Sequence, residues 1–134
     1  MATKEDDFKE RFVAVIRDLD EHGRKDPEAM ALIGSFAAGL IDVYKLKTWT
    51  QFKGALTQPA YTQLLKDFEE QGNKHHREGS ARSAYAIQLL AVSVIARTQK
   101  DPEVRAGEKL LDQAIDTAVL VHRKARAAGA AKAS

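Results

Sequence analysis

Apolar residues recur along this chain with a helical period almost from end to end. Phe8, Phe12, Val15, Ile16 and Leu19 return every three or four positions, which predicts an amphipathic first helix that fails at Gly23. A second helix is predicted from Pro27 to about Lys45, and a short one after Thr48 carrying Trp49, Phe52 and Leu56. Pro59 opens a fourth, whose Tyr61, Leu64, Leu65 and Phe68 form one stripe and which Gly72 is expected to close. A fifth runs from Ser80 to about Gln99 and a sixth from Pro102 to about Arg126. Sustained β-branched alternation is missing, so the class is all-α: a compact helical bundle of five or six helices. Two αα-hairpins, helices one–two and five–six, are expected to be joined by the short helical pair at 48–72. Residues 1–126 form a single domain, and 127–134 a basic, alanine-rich and flexible tail.

The tetrapeptide KDPE stands at 25–28 and again at 100–103, each time between two long helices. Lys25 and Lys100 suit the negative end of the preceding helix. Asp26 and Asp101 are predicted N-caps, and Pro27 and Pro102 fit a first turn that needs no amide donor. Helices two and five have no continuous polar face and read as central. On helix two, Ala31, Ser35, Ala38, Gly39 and Asp42 make a small-residue seam, expected to receive helix five or the same helix of a second copy.

Composition narrows the chemistry. The chain has 134 residues, 44% hydrophobic and 30% charged, enough for one buried core. A formal net charge of +2 gives no global field demanding nucleic acid or a membrane surface. Zero cysteines exclude disulfides, thiolate metal sites and cysteine nucleophiles. The acidic, polar start MATKEDDFKE lacks the pattern of a secretory signal. The longest uncharged stretches, 29–41 and 83–96, fall short of a membrane span, so no membrane insertion and a cytoplasmic location are expected.

Basic residues gather at 72–82, read as a loop between glycines, where Lys74, His75, His76, Arg77 and Arg82 are candidate anion ligands beside the start of helix five. A solvated connector is the alternative. A metal site is not expected, because positions 19, 72, 73 and 119, three before each histidine, hold Leu, Gly, Asn and Val rather than Glu. Glu108, Asp112 and Asp116 form an i, i+4, i+8 row, read as a solvated face. Asp42 is expected to pair with Lys45, and His122 to sit as a hydrogen-bonded boundary residue. No phosphate loop, nucleophile elbow, cofactor motif or catalytic carboxylate pair is present.

The stretch RDLDEH, Arg17 to His22, resembles the Arg-polar-x-x-x-His motif of the HEPN ribonucleases. The resemblance implies an all-α, often dimeric fold that cuts RNA with the arginine and histidine, and it points to Arg17, Asp18 and His22. It covers six residues, and here it ends the first helix, whereas the family carries it late in the domain. The alternative is helical pairing of Arg17 with Glu21 and of Asp18 with His22. The tail's Arg123, Lys124, Arg126 and Lys132 offer nonspecific contact with nucleic acid. Together these observations lead to the expectation of a non-catalytic, cofactor-free interaction protein that forms a homodimer or binds a protein partner. Trp49, Phe52 and Tyr61 are its expected surface anchors, Trp49 partly exposed in a short polar turn. Ligand or nucleic-acid binding by the basic 72–82 segment, and a HEPN-like nuclease, are the alternatives.

Overall fold

The computed structural model describes residues 3–133. Among these lie six α-helices: α1 Lys4–Glu21, α2 Pro27–Val43, α3 Trp49–Ala55, α4 Gln58–Arg77, α5 Ala81–Ala96 and α6 Pro102–Ala133. A 3-10 turn, Gly23–Lys25, links α1 to α2. The described residues contain no strand, and no helix among them is long and apolar enough to cross a membrane.

Helix starts follow the predicted side-chain chemistry. Asp26 accepts from the amides of Glu28 and Ala29, and Asp101 from those of Glu103 and Val104, with Pro27 and Pro102 opening α2 and α6. Thr3 and Thr48 form reciprocal capping boxes with Asp6 and Gln51. Thr57 caps α4 through the amide of Ala60.

The most extensive packing joins α2 to α6, α4 to α5, and α2 to α5, while α1 leans on α6. Phe12, Ile33, Ile41, Leu89, Leu90, Leu111 and Ile115 fill the centre. Glycine sets the closest approach: a methyl group on Gly34 would collide with the main-chain carbonyl of Ala118. That contact lies beside the small-residue seam rather than on it. Of the seam only Ala38 is buried; Ala31, Ser35, Gly39 and Asp42 are exposed, and the helix packed closely beside them is α6. Asp42 pairs with Arg123 of α6 at 2.8 Å rather than with Lys45, whose positive φ of 57° ends α2.

Helix four does not stop at Gly72. It continues to Arg77, so residues 72–77 are helix and only 78–80 connect to α5. A Cβ at Gly72 would stand 3.8 Å from Ile87 of α5, an ordinary contact, so the packing there does not require glycine and the helix carries its cost of about 1 kcal/mol. Lys74, His75, His76 and Arg77 then favour the last turn of a helix whose carbonyl end is negative. The turn comes at Gly79, with φ of 76°. Likewise α6 passes Arg126 and reaches Ala133, so the basic tail continues the helix; Ser134 and the side chain of Lys132 lie outside the described residues.

Candidate functional site

Helix α3 has only seven residues and is held from three directions. On α6, the row Glu108, Asp112 and Asp116 faces α3 rather than water. Lys53 Nζ donates to Glu108 Oε2 at 2.7 Å and to Asp112 Oδ2 at 2.9 Å. Asp116 accepts from the Trp49 amide at 2.7 Å and from the Thr50 hydroxyl at 3.0 Å, acting as an extra cap on α3. Arg97 of α5 donates to the carbonyls of Lys53 and Leu56 at the other end of α3, its guanidinium lying 5.1 Å from the centre of the Tyr61 ring.

This cluster is deep. Lys53 is 4% exposed, Glu108 5% and Asp112 9%. Ser93 donates to Asp112 Oδ1 at 2.6 Å and accepts from Trp49 Nε1 at 2.9 Å, and Arg105 takes the second oxygen of Glu108 at 2.8 Å. Burial pushes the Asp112 carboxyl above the usual range, with Lys53 and Ser93 opposing that shift. A cleft of about 470 Å³ opens beside it, lined by Thr50, Gly54, Arg97 and Thr98 as well as the ions. Each charged group of the ionic core has a partner among the described residues, and the arrangement fixes a short helix.

The same contacts correct the expected surface anchors. Trp49 and Phe52 are 0% and 1% exposed, and Tyr61 is half-buried beneath Arg97. The turn carrying Trp49 was expected to sit partly in water because it is polar. Ser93 and Asp116 supply its polar partners inside the protein, which permits full burial.

The basic residues of 72–82 are not gathered on a common centre. Arg82 is bound by Asp26 at 2.9 Å and Glu28 at 3.1 Å, and this pairing lowers the Asp26 carboxyl. His75 stacks on Phe36, ring centres 6.2 Å apart, at the edge of an apolar crevice of about 210 Å³ between α2, α4 and α5. That volume lies below the roughly 300 Å³ of ordinary small-molecule sites. Lys74, His76 and Arg77 are exposed around the end of α4.

His22 ends α1 and its Nδ1 lies 3.1 Å from Asp18 Oδ1, the helical pairing; Arg17 makes no such pair with Glu21 among the described ion pairs. A small cleft of about 220 Å³ is lined by Asp18, His22, Arg82 and Tyr85, and Arg17 is not part of it. Within one chain the arginine and histidine of the nuclease-like motif therefore do not converge. His122 packs over Gly34 at the α2–α6 crossing.

One opening has a different character. Helices α1 and α5 both pack on α6 with their main chains apart, Tyr85 of α5 reaching across to the end of α1, and the gap between them is a groove of about 490 Å³. Phe8 and Val15 of α1 and Val92 and Ile95 of α5 form its apolar floor; Arg11, Asp18 and Gln88 stand at its rim. It spans Phe8 to Asp18 on one side and Tyr85 to Ile95 on the other, which is about three turns or 15 Å of each helix. The Tyr85 hydroxyl is buried near Asp18 without a hydrogen bond of full geometry, and burial, reinforced by the charge of Asp18 and a weak interaction with its carboxylate, pushes it up to about 12. Gly23 makes room for that hydroxyl. The sequence pattern held a hint of the groove, since Val92 and Ile95 add apolar residues to a helix that already buries a full face.

No family model, curated protein or solved structure matches this chain.

Proposed function

We propose that this is a non-catalytic helical interaction protein that receives another polypeptide helix in the α1–α5 groove. The observation that carries the reading is the groove itself: a three-turn apolar trough whose α1 rim bears Arg11 and Asp18. A trough of that length accepts the apolar face of one amphipathic helix, with anchors every three or four residues. Its half-exposed Val92 and Ile95 gain from being covered, at about 25 cal/mol per Å² of apolar surface removed from water.

The test places a photoreactive benzoylphenylalanine at Gln88, on the rim, in the full chain expressed in cells. A polypeptide adduct identified by mass spectrometry is expected, and it is lost when Val92→Glu is added. The same probe at Gln113, on the outer face of α6, gives none. Absence of an adduct at Gln88, or one indifferent to Val92→Glu, overturns the reading. Thermal unfolding of each variant verifies that the fold persists.

A further inference from the structure

We infer that the helix received by this groove is α1 of a second copy of the chain, in a two-fold antiparallel arrangement; the inference rests on the groove reading above and names its partner. Three positions on one stripe of α1 carry the argument, Asp7, Arg11 and Asp18, together with His22, the residue that caps the helix and pairs with Asp18 in its own chain. Arg11 and Asp18 both line the groove, two helical turns apart. An antiparallel pair of α1 helices related by a two-fold axis between residues 14 and 15 brings Arg11 opposite the partner's Asp18. The reciprocal contact forms at the same time. That single axis also sets Asp7 opposite the partner's His22, because 7 and 22 share the midpoint of 11 and 18. An isologous interface requires this kind of self-complementarity. Ala14, exposed at the axis, is small enough to let the two helices approach closely.

One further observation fits the same arrangement. Arg11 makes no ion pair among the described residues, although it stands beside the groove. A guanidinium carries five N–H donors in a fork, suited to the carboxylate of the partner's Asp18. The result is a four-helix layer made of α1 and α5 from each copy, apolar along the trough and ionic at its rims.

The experiment is sedimentation velocity on the full chain, wild type and charge variants, from about 1 to 100 µM. A wild-type dimer is expected, weakened as salt is raised because the rim pairs are exposed. Arg11→Asp and Asp18→Arg each replace two attractions by two repulsions, and each should weaken dimerisation about thirtyfold. Combining them restores opposite charges across the axis and should return affinity to within about threefold of wild type. A monomeric wild type, single variants that dimerise normally, or a double variant no better than the singles overturns this inference. The groove reading fails separately, by the photoprobe at Gln88: an adduct with a different polypeptide preserves that reading while eliminating the second copy. Buried Trp49, the one tryptophan, monitors folding throughout by its fluorescence.

Discussion

Replacing Lys53 by methionine tests the buried ionic cluster. The side chain keeps most of its length and loses its charge, leaving Asp112, 9% exposed, with Ser93 as its remaining hydrogen-bond donor, while Glu108 retains Arg105. Removing one partner of a buried pair typically costs about 3–5 kcal/mol. An independent limit comes from protonation. An ordinary aspartate near 3.9 takes up a proton at about 1.4 kcal/mol per pH unit, so neutralising Asp112 costs about 4 kcal/mol at pH 7 and about 1.5 at pH 5. The expected loss at pH 7 is therefore about 3–4 kcal/mol.

The sign of the pH dependence is distinctive. Burial already raises the Asp112 carboxyl in the fold, and losing Lys53 raises it further. A group raised on folding contributes stability that is present below its unfolded value and lost as pH rises through its folded value. Lys53→Met should thus regain about 2–3 kcal/mol, relative to wild type, on going from pH 7 to pH 5. The lowered carboxyls of Asp26 and Asp101 act oppositely, but only as pH falls through and below about 4, outside this window. Urea unfolding followed by Trp49 fluorescence at pH 5, 6 and 7 measures both quantities. Adding Asp112→Asn to Lys53→Met should recover much of the loss, although Asp112→Asn alone destabilises. A loss below about 1 kcal/mol at pH 7, or one that does not shrink at pH 5, would show that the cluster does not hold α3 as described.

Two glycines of α2 should respond with opposite sign. Gly34→Ala drives a methyl into the Ala118 carbonyl and should cost about 1–3 kcal/mol or more, whereas Gly39→Ala meets no neighbour and should stabilise by about 0.5–1 kcal/mol in urea unfolding. Asp101→Ala removes the α6 cap together with the 3.2 Å contact to Lys9, and should lower the urea midpoint of unfolding at neutral pH. Desolvation raises the Asp101 carboxyl, but Lys9 and the amides of Val104 and Glu103 outweigh it; wild-type stability from this group is therefore present above about pH 4 and lost in stronger acid, and Asp101→Ala should flatten that decline. Tyr85→Phe deletes an unpaired buried hydroxyl and should leave the monomer as stable or up to about 1 kcal/mol more stable, while rescuing part of the damage from Gly23→Ala, whose methyl meets that oxygen.

What the sequence revealed and what it concealed divide by the range of the interactions. Asp26 and Asp101 were legible as caps because their partners lie two and three residues away. The stripe of α4 was legible for the same reason, but its end was not. Gly72 and Gly79 look alike in a string, but Gly72 keeps helical backbone while Gly79 takes a φ of 76° and turns the chain. Glu108 and Asp112 looked like a solvated face because their cation, Lys53, is 55 and 59 positions distant in the chain. The clue was present: Lys53 lies one turn from Trp49 and next to Phe52, on the buried side of α3. A lysine on such a stripe requires carboxylates within reach, and a row of acids on a neighbouring helix is where they would be found. The groove belongs to the other extreme. Apart from the extra apolar residues Val92 and Ile95, nothing local in α1 or α5 says that their main chains part over α6. That separation is a property of the assembled bundle, and so the surface most suited to a partner left only a faint trace in the residue pattern.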